Sequence, residues 1–276
     1  MAARRLLGCI TAAALLASVA VAPTGAAPQR RGGRFGYYRL PPNPPYDGAF
    51  MFCRIMFDNA MNGDGAGWIV DYPRADENLS YRFSELTVTP VSRDGAGNFN
   101  HTVYRFTDAA IDHCPFLMLT EPGGAYLSHE EAAHLRDYLL HGGFLWADDF
   151  WGDYAFEHWM NEIRKALPSS EFPLTDLPID HPIFHVLYDV KAFPQIPGIA
   201  YFLGTGGRTS ERGAASAVPH ARAISDRDGR ILIFMSHNTD FGDAFEREGE
   251  DQSYFDHFAA AGYAVGVNVL LYSMTH

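Results

Sequence analysis

Four short apolar runs, each stopped abruptly by turn-forming or acidic residues, restrict the fold of this chain more than any other feature. Residues 49–57 (AFMFCRIMF), 115–120 (PFLMLT), 144–148 (FLWAD) and 231–236 (ILIFMS) are apolar at nearly every position. A strand with one wet face alternates apolar and polar residues. A strand buried on both faces does not, and such strands belong to parallel sheets covered by helices. Helical signals separate the runs. Ser128 and Glu131 have capping-box spacing, Ala132, Leu135 and Leu139 form an inward stripe, and Gly142-Gly143 ends it. A second helix is predicted from Phe156, Trp159, Met160, Ile163 and Leu167, with Asp153 as its cap and Pro168 as its stop. Residues 254–274 read as a long apolar closing helix. Weaker patterns predict a short helix over 78–86 and strands over 86–91 and 102–106. Together these signals predict an α/β fold with an open, mostly parallel sheet and helices on both faces.

The first 27 residues have a different logic. Arg4 and Arg5 precede an uncharged apolar run to Ala22, and Gly25-Ala26-Ala27 gives a small-residue exit. This is the layout of a cleaved signal peptide, and it predicts export to the periplasm or the medium. Residues 28–48 carry Arg30, Arg31 and Arg34 and then the run Pro41-Pro42-Asn43-Pro44-Pro45, which reads as a linker. Residues 49–276 read as a single α/β domain. Loss of the leader removes two of 21 basic residues and none of the 33 acidic ones, taking the formal charge from −12 to −14. An acidic surface of this kind disfavours nucleic acid and anionic lipid as partners. Cys53 and Cys114 lie in or beside apolar runs and read as small buried side chains, although export also permits a disulfide between them.

In an open parallel sheet, ligands bind beyond the carboxyl ends of the strands. The residues in that position are Thr120-Glu121, then Asp148-Asp149-Phe150-Trp151, then Ser236-His237-Asn238-Thr239-Asp240, with Asp243 and Glu246 extending the last group. Asp148 and Asp149 should point in opposite directions, one to the crevice and one capping a helix near Tyr154. His237, with Asp240 or Asp243 to orient it, is placed to act as a general base, and Asp148 and Asp149 are the other catalytic candidates. Trp151 reads as an exposed aromatic beside carboxylates, which suits a saccharide or peptide. Asp180-His181-Pro182 displays His181 at a turn. A divalent metal, if held, would draw on Asp148, His181 or His237. No nucleotide cofactor is expected, because Gly63, Gly65 and Gly67 have no helix opening behind them.

The strings CRIMFDN, DYPRADENLSYRFSELT, CPFLMLTEPG, LRDYLLHGGFLWADDFWG, LPIDHPIFHVLYD, SHNTDFGDAFE and GVNVLLYSMTH, in this order, resemble the bacterial DUF4159 family across about residues 50–276. The resemblance implies a fold related to flavodoxin-like domains and class I glutamine amidotransferases, and it implies no reaction. The amidotransferase cysteine is missing: the run ending at Thr120 leads into Glu121-Pro122-Gly123. Glutamine hydrolysis is therefore not expected. The leading expectation is an exported binding or accessory module of the cell envelope, taking a saccharide or peptide-like ligand against Glu121, Asp149, Trp151, His181, His237, Asn238, Asp240 and Asp243. A hydrolase, metal-assisted or not, is the first alternative. A structural module docking an envelope protein is the second.

Overall fold

The computed structural model describes residues 40–276, so the predicted signal peptide and most of the linker lie outside the described residues. Residues 40–49 form neither helix nor strand, in keeping with their prolines.

The strands are β1 (Phe52–Ile55), β2 (Asp58–Asn59), β3 (His101–Tyr104), β4 (Leu117–Thr120), β5 (Ala125–Tyr126), β6 (Leu145–Phe150), β7 (Leu174–Asp176), β8 (His220–Ser225) and β9 (Ile231–His237). The helices are α1 (Arg74–Leu86), α2 (His129–Leu140), α3 (Gly152–Ile163), α4 (Ile199–Thr205), α5 (Phe241–Glu246) and the closing α6 (Gln252–Thr275), which contains a π turn over Phe255–Ala259. Seven strands form one sheet in the order β3-β1-β4-β6-β9-β8-β7. The five from β3 to β9 run parallel, while β8 is antiparallel to both β9 and β7. This is the mixed, mostly parallel α/β architecture that the apolar runs predict.

Side chains alternate across the strands into two cores. Phe52, Met118, Trp146 and Phe234 face α1, α5 and α6, meeting Leu79, Phe83, Phe245, Val265 and Val269. Cys53, Leu119, Ala147 and Met235 face α2 and α3, meeting Leu135, Leu139, Trp159 and Ile163. Helix α6 is long and apolar enough to cross a membrane by length and composition, but Val265, Val267, Val269 and Leu270 are fully buried against the sheet. The Ser128–Glu131 capping box forms as predicted at the start of α2.

Four local expectations need correction. Cys53 and Cys114 form a disulfide: both turn toward the α2–α3 face, and their Cα atoms are 6.2 Å apart, within disulfide reach. Residues 86–91 are not a strand. Thr87 instead caps α1 by donating to the Phe83 carbonyl, Val88 is exposed, and only the end of the segment reaches the sheet edge, where the Pro90 carbonyl accepts the Phe50 N–H and Val91 bridges to Phe50. Helix α1 starts at Arg74, four residues before the predicted start, directly after Pro73. Helix α3 starts at Gly152 with no side-chain cap, and Asp153 lies in its first turn.

Candidate functional site

The sheet register sets the strand tails side by side. Thr120 pairs with Asp148 and Phe150 pairs with His237, with a register irregularity between Ala147 and Phe150. The three tails therefore reach one rim, as the parallel reading requires. The backbone there is unusual. Four non-glycine residues among those described have positive φ: Asp71 (64°), Glu121 (54°), Asp149 (58°) and Asn238 (60°). Glu121 and Asn238 directly follow β4 and β9, Asp149 sits in the β6 irregularity, and Asp71 lies in the connection leading from β1 and β2 to α1. Each left-handed non-glycine residue costs roughly 1 kcal/mol or more, and such costs gather at functional sites.

These turns aim carboxylates inward. Asp71, Asp149 and Asp240 each place an oxygen so that all three lie within 4.8 Å of one another, and the residues are only 6, 8 and 5 % exposed. Among the described residues no basic side chain is ion-paired with any of them, and Oδ2 of Asp71 has no hydrogen-bond partner. Burial, followed by the charges of neighbouring carboxylates, pushes all three well above the usual aspartate range. Glu121 adjoins the cluster. Its Oε2 accepts the Gly67 N–H, and burial raises its carboxyl to about 7. A second set, Asp71 with Asp243 and Glu246, has its own counter-ion: Arg247 lies 3.4 Å from Asp243 and 2.8 Å from Glu246.

Several residues singled out in the sequence have other duties. Asp148 and Asp149 do point apart, but Asp148 serves α5 and not α3. Its Oδ2 accepts the Phe241 and Gly242 N–H groups at 2.9 and 3.0 Å, and its Oδ1 accepts the Ser236 hydroxyl. His237 uses both ring nitrogens, Nε2 toward the Gly152 carbonyl (3.1 Å) and Nδ1 toward Arg222 (3.2 Å). Burial lowers its pKa to about 4, so the imidazole is neutral near pH 7, and neither ring nitrogen is bonded to a carboxylate. Asn238 ties loops together, accepting from Gly152 N and donating to the Val218 carbonyl. Asp240 caps α5 through Asp243 N (2.7 Å) while belonging to the cluster. Trp151 is buried, contrary to its expected exposure. Its indole donates to Asp149 Oδ1 at 2.8 Å and so orients that carboxylate. His181 is not at the rim. Its ring lies 6.1 Å from that of Tyr272, which in turn adjoins Phe144 just before β6, at the amino ends of the strands.

Asp71 was missing from the sequence reading, and a signal for it exists. The run at residues 49–57 ends in Phe57 and is followed by a long connection, so its carboxyl-end residues are not adjacent to it in sequence. Following that run forward leads through Gly63, Gly65 and Gly67 to Asp71-Tyr72-Pro73, at the threshold of α1.

The model of a domain family of unknown function, DUF4159, matches residues 56–274, most of the chain. The chain belongs to the DUF4159 family. No curated protein matches it in sequence. Every carboxylate of the cluster falls inside the DUF4159 span, so the site is part of the family domain and not of an appended segment.

Proposed function

We propose that this DUF4159 chain is an exported binding module of the cell envelope that seats a polar, hydrogen-bond-donating ligand, a saccharide or a peptide, at the carboxyl ends of β4, β6 and β9. One observation carries the reading: strained backbone at Asp71, Glu121 and Asp149 concentrates carboxylates in one place where, among the described residues, no cation is ion-paired with Asp71, Asp149 or Asp240. Folding alone gains nothing from such an arrangement, whereas a ligand that supplies donors or positive charge relieves it. Export is supported by the leader pattern of residues 1–27 and by the Cys53–Cys114 disulfide, a bond that persists in oxidising compartments. The scaffold fits the flavodoxin-like, amidotransferase-like type implied by the resemblance. Glutamine amidotransfer does not fit: the left-handed turn after β4, where a nucleophile elbow would carry its cysteine, carries Glu121.

The test is a thermal-shift array of cell-wall saccharides and short peptides, run on wild type and Glu121→Gln. A ligand that raises the Tm of wild type by several degrees and fails with the variant supports the reading. An array with no response while a stable protein partner co-purifies would favour the structural alternative. The hydrolase alternative draws support from Glu121, a partly buried carboxyl raised to about 7, in the range useful for proton transfer. Hydrolysis of an array member by wild type but not by Glu121→Gln would select it. Cleavage of the leader is checked by intact mass: a mature chain beginning after Ala27 is expected, and a full-length exported chain would count against it.

A further inference from the structure

We infer that Asp71, Asp149 and Asp240 form a binding site for one hard divalent cation, calcium, magnesium or manganese. The inference deepens the crevice reading above, and the two fail separately in the experiment below. Three features point to a metal ion. The first is spacing. Oxygens bound to a single ion at 2.0–2.6 Å can be no more than about 4–5 Å apart, and all three oxygens meet this limit at 4.8 Å or less. The second is donor chemistry. Three carboxylates with no thiolate or imidazole favour hard cations over zinc or copper, and the nearest histidine of the strand tails, His237, has both ring nitrogens engaged.

The third feature is independent of the cluster's charge. Among the described residues, Asp71 Oδ2 is buried without a hydrogen-bond partner, although almost every buried polar atom in a folded protein has one. The fold accommodates this orphan oxygen at a cost in side-chain space. A Cβ built on Gly242 would stand 2.2 Å from Asp71 Oδ2, so residue 242 has to be glycine for the carboxylate to take up this position. Nearby cations are already committed. Arg54 Nε donates to both oxygens of Asp76 at 3.1 and 3.0 Å, and Arg247 serves Asp243 and Glu246. The second acidic set therefore has a counter-ion on two of its three carboxylates, whereas the first has none among the described residues, and the first is the set that calls for an ion. Trp151 then acts as a positioning residue, holding one oxygen of Asp149 and leaving the other for the ion.

The experiment uses the mature chain stripped with EDTA and titrated calorimetrically with CaCl2, MgCl2 and MnCl2, with methylammonium chloride as the organic cation control. Binding of one equivalent of at least one metal is expected, weakened by at least about 100-fold in Asp71→Asn and in Asp149→Asn. Near-UV circular dichroism confirms that the variants are folded. Terbium luminescence locates the site: Trp151→Phe should lose most of the sensitised emission while keeping the stoichiometry. No binding of any of the three metals up to about 10 mM, or unchanged affinity in both aspartate variants, overturns the assignment. So does a preference for methylammonium. Repeating the ligand array in EDTA and in the metal separates the two ideas. A ligand bound equally well in EDTA by a chain that titrates none of the three metals refutes the metal site and leaves the crevice reading standing. An ion bound at this site with an unresponsive array supports the metal site and counts against the crevice reading.

Discussion

Arg54 and Asp71 are both buried beside the carboxyl end of β1, and their surroundings differ completely. The guanidinium of Arg54 is fully enclosed and fully used. It donates to Asp76 from Nε, to the Thr120 hydroxyl at 2.8 Å, and to the carbonyls of Trp68 and Val70 at 3.2 and 3.1 Å. Asp71 lies close enough for Arg54 to affect its charge, yet it faces Asp149, Asp240 and Asp243 and leaves one oxygen without a partner. A buried charge is tolerated when its desolvation is offset by paired, geometrically matched groups. The Arg54 region meets that condition internally and the Asp71 region does not. The first can be read as architecture, holding β1, β4 and α1 together. The second has no such compensation among the described residues, and the proposed ion would supply it.

The largest effect expected from this contrast is on the compensated side. Asp76→Ala strands the Arg54 cation in the core and should cost about 3–5 kcal/mol in urea unfolding. A cost below about 1 kcal/mol would mean that water reaches Arg54 and that the region is not sealed. Next is Asp148→Ala, which removes the acceptor for two buried N–H groups and the Ser236 hydroxyl and should cost about 2–4 kcal/mol. Both losses should be the same with and without divalent cations, because neither residue belongs to the open cluster.

On the uncompensated side the sign reverses. Asp149→Asn retains an oxygen for the Trp151 indole while removing a charge that repels Asp71, Asp240 and Glu121. It should therefore stabilise the ion-free protein by about 1–2 kcal/mol. The pH dependence carries the same signature. Glu121 and Asp148 are raised to about 7 when folded, so their protonated forms stabilise the fold at low pH and that stability is lost as pH rises through about 7. His237, lowered to about 4, acts in the opposite direction, but only as pH falls below its unfolded value near 6.5. The informative window is therefore pH 6.5 to 8.5. In EDTA, stability should fall across it by about 1–3 kcal/mol, with a shallower slope in Asp149→Asn. A flat or rising wild-type profile would remove the contrast between the two regions.

The legible part of this molecule was the part governed by burial. Residues 115–120, 144–148 and 231–236 announce strands because both faces are covered, and the parallel rule then places Glu121, Asp149 and Asp240 together. Strand β8, with alternating buried and half-exposed residues over HARAIS, and three-residue β7 carry too weak a pattern to be read. Their antiparallel addition at one edge was accordingly missed. Side-chain duties were less legible still, because they depend on which donor happens to arrive from elsewhere. Asp148 and Asp149 are neighbours of one type, separated in role by a left-handed φ at Asp149 and by the arrival of α5 over Asp148. Cys53 and Cys114 are 61 residues apart, and only the packing of β1 beside β4 brings them within bonding distance.

The smallest effect should come from a third kind of charge, one that faces water. Arg212 pairs with Asp64 at 3.0 Å, both act on Glu121 through their charge, and the two side chains are 52 and 30 % exposed. Exposed pairs of this sort contribute little, since water screens the charges and long side chains lose freedom in meeting. Arg212→Gln should therefore change stability by no more than about 0.5 kcal/mol at pH 6.5. Its value lies in what happens at higher pH. Arg212 is one of the groups that holds the Glu121 carboxyl down, so removing it should move the titration of Glu121 upward. The variant should then lose more stability than wild type between pH 6.5 and 8.5, by a few tenths of a kcal/mol. Identical pH profiles would show that this ion pair is electrically remote from the cluster, and the Asp71 region would then carry its charge without help from the surface.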